Sequence, residues 1–433
     1  MRTICGTLLA AVLTAAGAGS TSPIPSPALA ARLAEGEKTY DWNVAASVAG
    51  FCARAERGER LTVVFLGGSL TWGANASDPN RTSWRARIAG KLESRFPNAH
   101  FKFVDAAIGG TGSGLGVFRL ARDVLVHRPD LVFLDCTVND NAYLSGDGNS
   151  CSFEGIVRQL MDRAHGCGVI VPVILPTRKT VEESDEAKIA RRVEHLRLAN
   201  RYSLASADVL GEMRRRREEG GLDLDRVWPR ELGDDVHPHD WGYGLYADII
   251  WNQVFEKPSE ACSVLPEDWN FAPKYRHVVR FDLTDATCAC LPTGWRRDFC
   301  SLRAGTFDFL CSRWMDGVAV AANRGEVAPL KADFKGEVLL LFGESTVQSA
   351  RCEVIVDGVR VAQRDTAELG KAFAPSAYLV WGIGTDFEAE KEHTLEIRPI
   401  FDGNGEKELR LNSICVAGRS EAWVRLVMGA SSD

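Results

Sequence analysis

Residues 61–73 read LTVVFLGGSLTWG. The first six are an unbroken apolar run and read as a buried β-strand. Two glycines follow, then a serine, then a polar segment. Glycine suits a backbone that must turn tightly or approach another group closely. A serine at such a corner is either turn chemistry facing solvent or a presented nucleophile. The remainder of the chain has to separate the two.

Working outward, short apolar runs alternate with helical patterns from about residue 40 to 256. FKFVDA (101–106), LVFLDC (131–136) and VIVPVIL (169–175) join LTVVFL as strands. Between them SWRARIAGKLESRF, LGVFRLARDVLVH and FEGIVRQLMDRAHG place apolar residues at helical spacing. That alternation predicts an α/β domain over 40–256, a parallel sheet covered by helices on both faces. Function in such sheets gathers at the carboxyl ends of the strands, which is where GGSLT falls.

The pattern changes after residue 256. EKPSEACSVLPEDWNFAPKYR carries three prolines and no clear periodicity, so 257–276 reads as a linker or wrap-around loop. VVRFDL, EVLLLFG, RCEVIVDGVRVAQ, AYLVWGIG, HTLEIRPI and LRLNSICVAG are short, β-rich and punctuated by turn residues. The VDG step is a hairpin signal. Residues 277–433 are therefore expected to form an all-β, jelly-roll-like sandwich that buries a core of its own and folds semi-independently.

The totals agree with two globular domains: 433 residues, 45 % hydrophobic and 25 % charged. Net charge is −7, and the basic run Arg214–Arg217 is followed at once by Glu218 and Glu219. A solvated helix face is expected there, and nucleic acid is disfavoured as a partner. The first 30 residues, with one arginine, an apolar small-residue run and Ala-Leu-Ala, fit a signal peptide and predict export. That run is too short and too rich in Ala and Gly for a stable membrane span. Of twelve cysteines, Cys5 falls in the leader, so at least one of the remaining eleven stays unpaired in a monomer. Cys288, Cys290, Cys300 and Cys311 crowd a short stretch where oxidising conditions would favour bridges. No CxxC pair exists, which argues against structural zinc. Cys136 is expected as a buried thiol.

Three further segments sit at or just past predicted strand ends: DAAIGGTGSGLG (105–116), TVNDN (137–141) and DDVHPHDWGYG (234–244). The glycine-rich one lacks the Lys-Ser/Thr of a P-loop and the acidic residue of a dinucleotide fingerprint. Taken together, order, spacing and strand context resemble the SGNH (GDSL-like) hydrolase family over roughly residues 60 to 255. Its first block matches Gly67-Gly68-Ser69-Leu70, with glycine in place of aspartate. Its oxyanion glycine falls on Gly110, with Gly109 one residue off. Its third block matches Thr137-Val138-Asn139-Asp140, where the leading glycine has become threonine. Its last block matches Asp234 to Pro238 without departure. The resemblance implies a three-layer SGNH fold with Ser69, His237 and Asp234 as catalytic residues. It also implies an oxyanion hole made of the Ser69 and Gly110 N–H groups and the Asn139 side chain.

The chemistry asks for the same residue types. A serine hydroxyl is a poor nucleophile without an adjacent base, and an imidazole can take its proton and return it to a leaving alcohol. Asp234 can hold the other ring N–H and set the tautomer, with Asp235 as rival orienter and His239 as rival base. Asp140 reads as a helix cap or a brace for the site. The HPHD cluster lacks a matching ligand group elsewhere, so neither metal nor any other cofactor is expected. Trp72 and Trp241 could flank a sugar ring or form a wall, while Trp295, Trp314 and Trp381 are expected in packing. Asn75-Ala-Ser77 and Asn80-Arg-Thr82 are glycosylation sequons.

The family spans carbohydrate O-acetylesterases, lipases and thioesterases, so fold alone does not choose a substrate. Export, the appended sandwich and the lack of a long apolar lid favour an acylated oligo- or polysaccharide. The expected activity is a serine esterase removing small acyl groups, acetyl foremost. The alternatives are a lipolytic or broad carboxylesterase and an inactive carbohydrate-binding surface protein.

Overall fold

LTVVFL extends by one residue at each end to form β1 (Arg60–Gly67). It is an inner strand of a four-stranded parallel sheet completed by β2 (His100–Ala107), β3 (Leu131–Leu134) and β4 (Val169–Pro172), in the order β2-β1-β3-β4. The computed structural model describes residues 47–140, 148–161, 168–285, 290–300, 315–372, 376–402 and 406–427. The expected leader (1–30), Cys288, Cys311 and Trp314 lie outside the described residues.

The sheet is flanked by helices α1 (Val48–Glu56), α2 (Ser69–Trp72), α3 (Trp84–Arg95) and α4 (Ser113–Asp123). They continue as α5 (Gly148–Met161), α6 (Ala190–Arg201), α7 (Val209–Glu218) and α8 (Asp240–Val254). Alternate strand residues point to opposite faces, and the two cores divide accordingly. Val63 and Phe65 join Phe133 with Trp84, Ile88 and Leu92 of α3 and Ile249 and Ile250 of α8. Val64 and Leu66 join Val132 and Leu134 with Leu115 and Phe118 of α4 and Ile156 and Leu160 of α5. Both faces are covered, which is why these strands read as unbroken apolar runs. In α7, Arg215 and Arg216 pair with Glu212 on a solvated face.

Residues 257–276 carry neither helix nor strand, yet they are tied down. Buried Glu154 of α5 accepts the N–H groups of Asn270 and Phe271 at 2.7 and 2.8 Å. Arg158 donates to the carbonyls of Pro266 and Asp268.

Beyond them come β5 (His277–Asp282), β6 (Trp295–Asp298), β7 (Val318–Ala322), β8 (Leu330–Lys335) and β9 (Val338–Thr346). The remaining strands are β10 (Arg351–Val356), β11 (Val359–Asp365), β12 (Ser376–Gly384), β13 (Glu392–Ile400), β14 (Glu408–Gly418) and β15 (Trp423–Leu426). They form two antiparallel sheets, ordered β11-β10-β13-β8-β15 and β12-β9-β14-β7-β6, with β5 also on β14. The VDG step is the β10–β11 turn, with Asp357 at φ 53°.

Between the two sheets lies a core of the sandwich's own, including Leu339, Leu341, Leu379, Trp295 and Trp381. The intervening residues Val338, Leu340, Phe342, Tyr378 and Val380 face the other way. They share one hydrophobic cluster with Leu115, Phe118 and Ile156 of the first domain. The sandwich thus covers α4 and α5 with a sheet buried on both faces. Among the described residues no helix is long and apolar enough to cross a membrane. Cys290 and Cys300 are both free thiols, so no bridge joins them. Burial pushes the Cys136 thiol well above its ordinary pKa, with the nearby Asp140 and Asp135 charges adding to the effect.

Candidate active site

In the order β2-β1-β3-β4 the chain changes direction across the sheet between β1 and β3, the kind of switch point where α/β sheets open a crevice. Ser69 follows β1 as the first residue of α2, and Asn139 follows β3. A Cβ on Gly68 would stand 2.3 Å from Asn139 Nδ2. A side chain at 68 would press on the Asn139 amide where it stands, and glycine leaves that amide against the serine corner.

His237 and Asp234 arrive on the loop before α8. His237 Nε2 lies 2.7 Å from Ser69 Oγ, and Nδ1 lies 2.7 Å from Asp234 Oδ2. With a carboxylate on Nδ1, that nitrogen carries the proton and Nε2 accepts the serine hydroxyl. Asp234 Oδ1 accepts the N–H groups of Val236 and His237 at 2.8 and 3.0 Å. Burial works to raise the Asp234 pKa. The His237 ring and these backbone donors outweigh it and hold the carboxyl far below the usual carboxylate range. Asp235 points to solvent with Arg178 4.0 Å away, and His239 serves as the residue before α8.

Several participants carried no sign in the sequence of a role at the site. Asn75, with φ 66°, donates from Nδ2 to Asp234 Oδ2 at 3.0 Å and to the His237 carbonyl at 3.3 Å. The hydroxyls of Ser77 and Thr82 both donate to Asp240. The residues that spell the sequons thus fasten the serine segment to the histidine loop. Arg119, nearly fully buried, donates to the carbonyls of Gly67 at 3.2 Å and Ala106 at 2.6 Å, tethering the ends of β1 and β2. Beside α2, the Thr71 hydroxyl donates to Asp135 at 2.7 Å. Burial pushes the Asp135 carboxyl up to about 7; the Thr71 bond opposes the shift and the Asp140 charge adds to it.

Gly110 has φ 69°, and its carbonyl accepts the hydroxyl of Tyr378 in β12 at 2.9 Å. The sandwich therefore reaches the glycine loop directly. Trp72 is partly exposed at the end of α2. Trp241 packs against the helical core with the Arg226 guanidinium 4.3 Å from its ring centre, so one face of it is occupied. Among the described residues no group of three or more His, Cys, Asp or Glu is placed to hold a metal ion.

A parallel α/β sheet with loops gathered at its carboxyl edge, followed by a β-sandwich, is the class of protein that this architecture defines. Residues 65–245 match the model of the GDSL-like lipase/acylhydrolase family. A two-domain esterase (CEX) active on acetylated mannans superposes with a TM-score of 0.71 at 22 % identity, covering 88 % of this chain and 99 % of that one. Its form co-crystallized with mannopentaose gives 0.67 at 23 %, covering 88 % and 98 %. At these identities the likeness is one of fold, and it runs through both domains. No curated protein matches the chain in sequence.

Proposed function

We propose that the protein is a serine esterase that removes small acyl groups, acetyl foremost, from an oligo- or polysaccharide. The observation carrying this reading is the unbroken hydrogen-bond chain from Ser69 Oγ through His237 to Asp234, 2.7 Å at each link. Ser69 Oγ attacks the ester carbonyl carbon as its proton passes to His237 Nε2. Charge collects on the carbonyl oxygen, where the N–H groups of Ser69 and Gly110 and the Asn139 amide are the donors. Collapse breaks the bond to the sugar oxygen, which takes the proton from Nε2 and leaves an acyl-serine. Water then attacks that ester and gives its proton to His237. The second collapse returns the proton to Ser69 Oγ and releases the carboxylic acid. Asp234 stays ionised throughout and stabilises the imidazolium.

The carbohydrate half of the proposal is supported by the two-domain likeness to an esterase described as active on acetylated mannans. The leader pattern supports export to where such polymers lie. The division assigned is signal peptide 1–30, catalytic domain 40–256, linker 257–276 and sandwich 277–433. Hydrolysis of para-nitrophenyl acetate, a longer-chain ester and acetylated mannan by the mature protein and its Ser69→Ala variant tests the reading. Turnover should favour acetyl, survive chelator and fall at least about 10³-fold in the variant. Preference for the long chain would make the protein lipolytic. Equal inactivity of both forms with retained glycan binding would make it a binding protein.

A further inference from the structure

His195 in α6 is fully buried, and its ring stacks on Phe153 with centres 3.8 Å apart and planes 11° from parallel. Nδ1 stands 3.0 Å from Thr137 Oγ1. Nε2 stands 3.0 Å from Asp140 Oδ2, off the line of a well-aligned hydrogen bond. Thr137 and Asp140 bracket the two residues between them, one of which is Asn139. The second Asp140 oxygen accepts the backbone N–H of Ser113 at 2.6 Å, at the start of α4 and three residues after Gly110. A Cβ on Gly112 would lie 2.4 Å from Asp140 Oδ1 and 3.0 Å from the Asn139 carbonyl oxygen, so the two loops touch there. One imidazole clasps both ends of the segment carrying Asn139, and Asp140 locks that segment to the loop carrying Gly110.

Stacking on Phe153 alone would be met by another aromatic ring. What the imidazole adds is two polar edges, matched to a hydroxyl on one side and a carboxylate on the other. Those partners assign the tautomer: Nε2–H faces Asp140, and Nδ1 accepts the Thr137 hydroxyl. A glycine at 137, as the family's third block has it, could not make that contact. Thr137 is thus a departure with a partner, and it stands two residues before the amide expected to face the developing charge. The Thr137 and Ser113 hydrogen bonds and the close His195–Asp140 contact tie the two loops to one buried ring and limit how far either can shift.

We propose that His195, with Thr137 and Asp140, is a positioning unit for the oxyanion donors, with Thr137 acting on the reaction through Asn139 and Asp140 also through the Gly110 loop. The proposal rests on the oxyanion role given above to Asn139. The test is a double-mutant cycle with Asn139→Ala, Thr137→Val and the pair, and with His195→Gln as a second single variant. Each protein is assayed on para-nitrophenyl acetate, for inhibition by a boronic acid that forms a tetrahedral adduct, and for melting temperature. Thr137→Val keeps the side-chain shape and removes one hydroxyl, so the fold should be retained.

Asn139→Ala alone should lower kcat/KM by about 100-fold or more. Thr137→Val should lower kcat by roughly 10-fold with KM held, and weaken the boronate in step. In the Asn139→Ala background, Thr137→Val should change kcat by less than about twofold, because the donor it positions is gone. His195→Gln should follow Thr137→Val in kcat and boronate affinity. A Thr137→Val loss of equal size in both backgrounds overturns the inference. So does one seen in melting temperature but not in boronate affinity. A full Asn139 effect beside an unchanged Thr137→Val fails the inference alone. An unchanged Asn139→Ala fails the oxyanion reading and this inference with it.

Discussion

Asp234 accepts hydrogen bonds from four groups: the His237 ring, the His237 and Val236 N–H groups, and the Asn75 amide. Three of these come from its own loop; Asn75 alone joins it to the serine segment. Asn75→Ala should therefore lower kcat by roughly 10-fold with KM little changed, as expected for the loss of one charge-assisted bond of about 1.5 kcal/mol. The same amide nitrogen would have to carry a glycan at the first sequon. Intact mass of protein made in a glycosylating host should accordingly show no sugar on Asn75. Asp135 supplies a stability test. Its folded pKa lies above the unfolded carboxylate value, so the native state holds a proton that the unfolded chain releases between about pH 4 and 7. Its stabilising effect is full below that window and declines as pH rises through it. Asp135→Asn should remove the decline, by about 4 kcal/mol at most. Wild-type and variant melting temperatures should then diverge in favour of the variant from pH 5 to 7.5.

Elements were legible in proportion to how regular their apolar spacing is. LTVVFL, FKFVDA and LVFLDC were found because strands covered on both faces are nearly all apolar, and α3 and α4 because one helical face repeats. The six β segments read beyond residue 276 correspond to β5, β9, the β10–β11 hairpin, β12, β13 and β14. By contrast β6 (WRRD), β8 (LKADFK) and β15 (WVRL) were missed, being short or charged on their solvent side. In β7 (VAVAA), small residues pack against two cores at once. At the site, Ser69, Asn139, Asp234 and His237 stood out because their blocks keep their order and spacing. His195 and Arg119 did not, since each lies within a helical pattern and gains its partners only when the chain folds. In β9, Phe342 is buried in the core shared by the two domains. Phe342→Ala should lower the unfolding free energy by about 3–5 kcal/mol, measurable by denaturant titration.

Seen whole, the molecule has its glycine loop held from outside the domain that carries it. Tyr378→Phe removes the bond to the Gly110 carbonyl while keeping the ring in place. It should lower kcat several-fold, with a melting temperature within a few degrees of wild type, because one neutral hydrogen bond contributes about 1 kcal/mol. Expressed without the sandwich, residues 47–276 would expose the apolar faces of α4 and α5 and should aggregate, which size-exclusion chromatography would show. The doubly buried sheet also has a consequence for how such a chain can change over generations. Residues at odd and even positions of VLLLF answer to different cores, so a substitution on either face is judged by a different neighbour. A recombination event that swapped one half for a relative's would inherit a mismatched surface and lose the tyrosine that reaches the loop. These two halves are bound to vary together and to be inherited as a pair.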